Sequence, residues 1–148
     1  MPDTPATSSA PAGLQVLDAS ALLAYVQREQ GAENVADAIA RGAAISTVNL
    51  AEALSTLALR GQDPRQTVDR LTAAGLLNGA IRVEPVVEAD AIEAARLRPL
   101  TKSPGLSMAD RVCLALAKRL GVPVLTTDGG WRTLDIGIKI VHIRDTRP

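Results

Sequence analysis

Short apolar runs alternate with longer amphipathic ones along this chain. "LQVLD" (14–18) has the length and apolar character of a buried strand. "ASALLAYVQRE" then carries Leu22, Leu23 and Val26 on one helical side, with Ser20 near its start. Gly31 ends that helix. "AENVADAIARG" spaces Val35 and Ile39 one turn apart and stops at Gly42. "AAISTV" reads as a second strand, and "NLAEALSTLALRG" as a helix capped by Asn49 and closed by Gly61. "DPRQTVDRLTAAG" opens with Asp63 as cap and Pro64 at the first helical position. "AIRVEPV" is a third strand, and Pro85 assigns it to a sheet edge. "EADAIEAARLR" is helical. "LSMADRVCLALAKRLG" is a strong helix from Ser107 to Gly121. "VPVLTTD" and "IKIVHI" supply two more strands, separated by a Gly129-Gly130 turn.

This alternation predicts an α/β domain: helices on both faces of a mainly parallel central sheet of about five strands. A chain of 148 residues has room for one such domain. Residues 1–13, "MPDTPATSSAPAG", hold too little apolar surface to join it and are expected to be disordered, leaving 14–148 as the domain. No apolar run approaches a membrane span, and no basic-then-apolar leader opens the chain. The single cysteine, Cys113, excludes an intrachain disulfide and fits a reducing compartment. A cytoplasmic protein is expected.

Carboxylates fall at meaningful places in this pattern. Asp18 and Asp128 follow strands. Glu52 stands three residues after Asn49, and Asp110 three after Ser107, each in a predicted first helical turn. In an open parallel sheet, strand C-termini and the following helix N-termini share one edge, where ligands bind. Each acid also has an ordinary explanation: a cap-x-x-acid pattern satisfies a helix N-terminus, and aspartates are common where strands enter loops. Their joint placement at one edge is the stronger observation. Clustered carboxylates repel unless protonated or bridged by cations. Hard divalent cations such as Mg²⁺ take oxygen ligands and work beside phosphates. Two such ions can clamp a phosphodiester undergoing displacement.

These segments, "VLDASALLAYV", "ISTVNLAEAL", "LSMADRVCLALAKRLGVPVLTTDGGW" and "IKIVHIR", resemble the PIN-domain ribonucleases, and among them the VapC-type toxins of bacterial toxin–antitoxin pairs. The resemblance runs over roughly residues 14–145, and its most specific part is Leu106 to Trp131. It implies a three-layer α/β/α PIN domain. It also implies an endoribonuclease dependent on Mg²⁺ or Mn²⁺, with a metal-activated water attacking the phosphodiester. The acidic set carries over onto Asp18, Glu52, Asp110 and Asp128, as metal ligands and catalytic carboxylates. Ser20 and Thr126 match the family's small hydroxyl positions and are expected to orient a carboxylate or a water. A homodimer is implied, silenced by a VapB-type antitoxin on a separate chain. The substrate is expected to be tRNA or another structured RNA. Gly129 and Gly130 depart from the pattern, which often carries a basic side chain there.

Charge and composition narrow the picture. The net charge is zero, yet with the four site acids set aside the rest is basic by four. Arg111 and Arg132 flank the acids and are candidate phosphate contacts. Tyr25 and Trp131 are the only aromatics, which excludes a multi-aromatic stacking platform. His142 and Cys113 lie in apolar runs and read as packing residues. Trp131 reads as ordering the turn after Asp128. A haloacid-dehalogenase-type phosphatase needs a second aspartate where Ser20 stands. A receiver domain needs an acidic pair before its acceptor strand, which "LQVL" lacks. A non-catalytic RNA- or protein-binding module on the PIN fold is the other alternative.

Overall fold

Side-chain alternation in three central strands builds two apolar layers, one on each side of a sheet. The computed structural model describes residues 12–103 and 105–145. Strands β1 (Gln15–Leu17), β2 (Ala43–Ser46) and β4 (Val124–Thr126) lie side by side, with β3 (Ile81–Glu84) and β5 (Ile140–His142) at the edges. The order is β3-β2-β1-β4-β5, and every pairing is parallel. Leu17, Ile45 and Leu125 face one layer, and Val16, Ala44 and Val124 the other. That is the period-two consequence of the pleat. Both faces are covered, so the strands need no polar side. The sheet is wholly parallel, and Pro85 follows an edge strand as expected.

Helices α1 (Ala19–Val26), α2 (Ala32–Arg41) and α4 (Pro64–Ala73) supply residues to the first layer. α5 (Glu88–Leu100) and α6 (Met108–Leu120) pack on the second, with α6 inserting Cys113, Leu114, Leu116 and Ala117. α3 (Thr47–Leu59) packs against α1 and α6 and buries Asn49, Ala53 and Leu57. The caps follow local chemistry. Asp63 Oδ2 accepts from Gln66 N at 3.0 Å ahead of Pro64. Ser107 and Asp110 form a reciprocal capping box.

Two local readings require correction. The cap of α3 is Ser46, whose hydroxyl accepts from Val48 N and Asn49 N, and the helix starts at Thr47. Asn49 is therefore not a cap, and Glu52 lies beyond the first turn. The segment after Asp128 is a 3-10 helix, Gly129–Thr133, rather than a bare turn. The expected disorder of residues 1–13 falls largely outside the described residues; Ala12 and Gly13 form a turn. Among the described residues, no helix is long and apolar enough to cross a membrane.

At the end of β5 the chain closes onto α2. Gly31 precedes α2 at φ +95, and a Cβ there would stand 2.9 Å from the Ile143 backbone oxygen. Asn34 Nδ2 donates to that same oxygen at 2.7 Å. Only glycine fits this approach without strain.

Candidate active site

The strand order contains a reversal. From β1 the chain winds outward to β2 and β3, then returns across β1 to β4 and β5. The connections leaving β1 and β4 therefore diverge, opening a crevice at the C-terminal ends of these two strands. Asp18 and Thr126 stand there. Asp18 directly follows β1 and caps α1, with its Oδ1 accepting from Ala21 N at 2.8 Å. Helices and neighbouring strands leave it only 4% exposed.

Two hydroxyls hold that carboxylate. Ser20 Oγ donates to Oδ1 at 2.7 Å, and Thr126 Oγ1 donates to Oδ2 at 2.5 Å. Each hydroxyl in turn accepts from the segment just past β4: Ser20 Oγ from Thr127 N and Thr126 Oγ1 from Asp128 N, both at 3.0 Å. The single proton of each hydroxyl is thus aimed at Asp18, and a lone pair of each at the backbone after β4. Burial pushes the Asp18 carboxyl up to about 6, against the lowering pull of these bonds, and the charge of Asp110 adds to the rise.

Glu52 and Asp110 approach from two other elements. Asn49, fully buried on α3, donates from Nδ2 to Ala109 O of α6 at 3.1 Å. This bond draws the turn bearing Glu52 against the start of α6. Partial desolvation and the Asp110 charge raise the Glu52 carboxyl, with Asn49 pulling it down. Asp110 is fixed by the capping box, with Oδ2 accepting from Ser107 N at 3.0 Å. Capping and site membership are therefore compatible at Asp110. Asp128 is exposed and caps the 3-10 helix, accepting from Gly130 N at 2.8 Å.

The charges of Asp18, Asp110 and Glu52 all act on one neighbour, Cys113, whose buried thiol is pushed well up, first by desolvation and then by these three acids. Three of the four acids thus act on one residue of α6, and Asp128 is linked to Asp18 through Thr126. Among the described residues, no three ligating side chains are positioned to hold an ion as they stand. The donor chemistry is nevertheless that of a hard divalent cation: oxygens only, one of them a buried carboxylate that, among the described residues, is held by hydroxyls and an amide rather than by a cation.

The structure separates the two arginines expected as candidate phosphate contacts, burying Arg111 and leaving Arg132 exposed. Arg111 is 7% exposed and donates from Nη1 to Ala94 O of α5 at 2.8 Å. It spans the α5–α6 interface and does not present its guanidinium to a phosphate. The depth of α6 explains this, because the helix is buried on every side from Arg111 to Ala117. Arg132 does lie beside Asp128, but it is paired with Asp145, and its Nη2 stands 3.2 Å from His142 Nδ1. Thr127 joins Thr126 at the site through its backbone N–H, and Asn49 supports it as a tether rather than a cap. Asn49 was open to a second reading in the sequence, since Ser46 three residues earlier is an equally good cap. The backbone contact of Thr127 leaves no sequence signal.

Residues 16–137 match the PIN domain family. No match is found among curated proteins. Several solved structures share the fold at low identity. A toxin–antitoxin complex from Klebsiella pneumoniae aligns at TM-score 0.67 and 18% identity, covering 87% of this chain and 97% of that one. FitAcB from Neisseria gonorrhoeae aligns at TM-score 0.65 and 21% identity, over 87% and 97%. VapC20 from Mycobacterium tuberculosis, a sarcin-ricin loop cleaving toxin, aligns at TM-score 0.61 and 14% identity, over 84% and 98%. With the family match spanning most of its length, the chain belongs to the PIN domain family.

Proposed function

We propose that this protein is a divalent-metal-dependent endoribonuclease, the toxin of a toxin–antitoxin pair acting in the cytoplasm. The observation that carries this reading is Asp18: a buried carboxylate held by three donors, its pKa raised to about 6, with Asp110 beside it. A fold has no use for such a charge unless something cationic meets it. Asp18, Asp110, Glu52 and Asp128 would hold Mg²⁺ or Mn²⁺. The bound cation would supply Lewis-acid stabilisation of phosphoryl charge and an activated water.

The chain's own contribution is positional. Ser20 and Thr126 fix both oxygens of Asp18, so its free lone pairs have one orientation. The capping box fixes Asp110, and the Asn49 bond carries Glu52 to it. Single-stranded or looped RNA suits a crevice at strand ends, since its backbone can be splayed into it. An antitoxin on another chain would silence the site by covering the crevice, and a homodimer is the expected assembly.

Purified protein incubated with total bacterial RNA tests the reading. Discrete cleavage in Mg²⁺ or Mn²⁺ is expected, with none in EDTA and none for Asp110→Asn. Wild-type cleavage by Asp110→Asn overturns the site. The non-catalytic alternative predicts no cleavage and no Mn²⁺-dependent melting shift.

A further inference from the structure

Next to Asp128, strand β5 and the 3-10 helix enclose a cleft of about 450 Å³, within the range of small-ligand sites. Its polar wall holds Asp128, Trp131, Arg132, His142 and Asp145. Ile138 and Ile140 line its apolar part. Two rings in this wall carry orphaned nitrogens: Trp131 Nε1 and His142 Nε2 are buried and neither has a hydrogen-bond partner. Trp131 is 1% exposed, and the His142 side chain 10%. Such groups are rare in native proteins, and two in one cleft call for a common partner.

The hydrogen bonds fix what that partner offers. Arg132 Nη2 stands 3.2 Å from His142 Nδ1. A guanidinium only donates, so Nδ1 accepts and the neutral ring carries its proton on Nε2. Asp145 Oδ1 is farther from Nδ1, at 3.4 Å, and is engaged by Arg132. The indole nitrogen is also a donor. Two unused N–H groups thus belong to rings that line the cleft, both buried as it stands, and an acceptor is what would satisfy them. Its charge rules against a phosphate, since Asp128 and Asp145 outnumber Arg132. A neutral, flat ring bearing carbonyl or ring-nitrogen acceptors meets both conditions. Gly129 lies beside the imidazole edge: a Cβ there would stand 3.9 Å from His142 Nε2 and 3.7 Å from Arg132 Nε, in ordinary van der Waals contact.

We propose that this cleft receives one unstacked nucleobase of the RNA strand, read by His142 and Trp131, beside the carboxylates that cut it. The ribonuclease reading is needed only to name RNA as the source of the base. Admitting the base moves Arg132, whose side chain is 52% exposed; its bond to Nδ1 is then given up, and an acceptor on the base itself selects the Nε2–H tautomer. His142 is then a specificity residue for the base flanking the scissile bond.

Trp131 is the only tryptophan, so its emission reports the cleft directly. The full chain is titrated in EDTA with AMP, GMP, CMP and UMP, and with short single-stranded RNAs of each base. Saturable quenching is expected, strongest for one base. His142→Leu should weaken it about tenfold, the worth of one buried hydrogen bond, and His142→Gln, which keeps an N–H donor, should recover most of it. In Mg²⁺, His142→Leu should relax the base preference flanking the cut. Unchanged Trp131 emission at millimolar nucleotide overturns the proposal. So does quenching by free nucleotides alone with an unaltered cleavage pattern in His142→Leu. If the wild type cleaves nothing yet RNA quenches Trp131 through His142, the cleft stands and the nuclease reading falls.

Discussion

Thr126 Oγ1 donates to Asp18 Oδ2 at 2.5 Å across 108 positions of sequence. One hydroxyl thereby ties the end of β4 to the start of α1. Its own acceptor capacity goes to Asp128 N, so a single side chain connects two of the four candidate acids.

Thr126→Val keeps the shape of that residue and removes the hydroxyl. The buried carboxylate loses one of its donors, and Asp128 N loses its acceptor. A destabilisation of about 1–3 kcal/mol is expected, with a marked fall in cleavage. Thr126→Ser should restore most of both. Urea denaturation and single-turnover cleavage assays check this, and a Val variant with wild-type values in both would contradict it.

Asp18→Asn should stabilise the metal-free protein at neutral pH. The folded carboxyl titrates near 6 and the unfolded one near 3.8. Below 3.8 both states are protonated and the group makes no difference. Between 3.8 and 6 the unfolded chain ionises first, so stability falls as pH rises. Above 6 a constant penalty of roughly 2–3 kcal/mol remains. Asparagine has no such penalty. Melting in EDTA should put Asp18→Asn above wild type at pH 7.5, with the gap closing toward pH 4. A gap independent of pH would refute the burial argument.

Mn²⁺ should reverse that order. A cation binding only the folded protein stabilises it by mass action. The wild-type melting point should rise with Mn²⁺ at pH 7.5 and rise less at pH 5, where Asp18 holds its proton. Glu52→Gln should reduce the shift, because Glu52 shares the Asp110 field. An equal shift in Asp18→Asn would move the metal elsewhere.

Arg111→Met tests whether this guanidinium is structural. It is buried against α5, and its Nε lacks a partner. Replacing a buried cation with an apolar chain of similar length is often neutral or stabilising. Stability should change by about 1 kcal/mol or less, with no change in RNA affinity at low salt. Weaker RNA binding, measured by filter retention, would restore Arg111 as a phosphate contact.

Much of the architecture is legible in short windows. Ser107 and Asp110 declare a helix start because a capping box is local chemistry. Pro85 declares an edge because a ring nitrogen cannot join a ladder. "ISTVN" misled because Ser46 and Asn49 are both good caps, and the choice depends on how far β2 pairs with β3. Arg111 misled because its burial depends on α5, which lies elsewhere in the sequence.

The sequence by itself determined the alternation of strands and helices, most of their ends, and the seating of Asp18, Asp110 and Asp128 at element junctions. These depend on side-chain period, capping and turn chemistry, which act over a few residues. The tertiary structure alone decided which junctions meet. Placing β4 beside β1 brings Thr126 to Asp18, and the packing of α6 brings the charge of Asp110 to bear on Asp18. It also turned Asn49 into a tether between two helices, and enclosed His142 beside Arg132 in a cleft. Strand order follows from covering both sheet faces at once, and no local window carries that requirement.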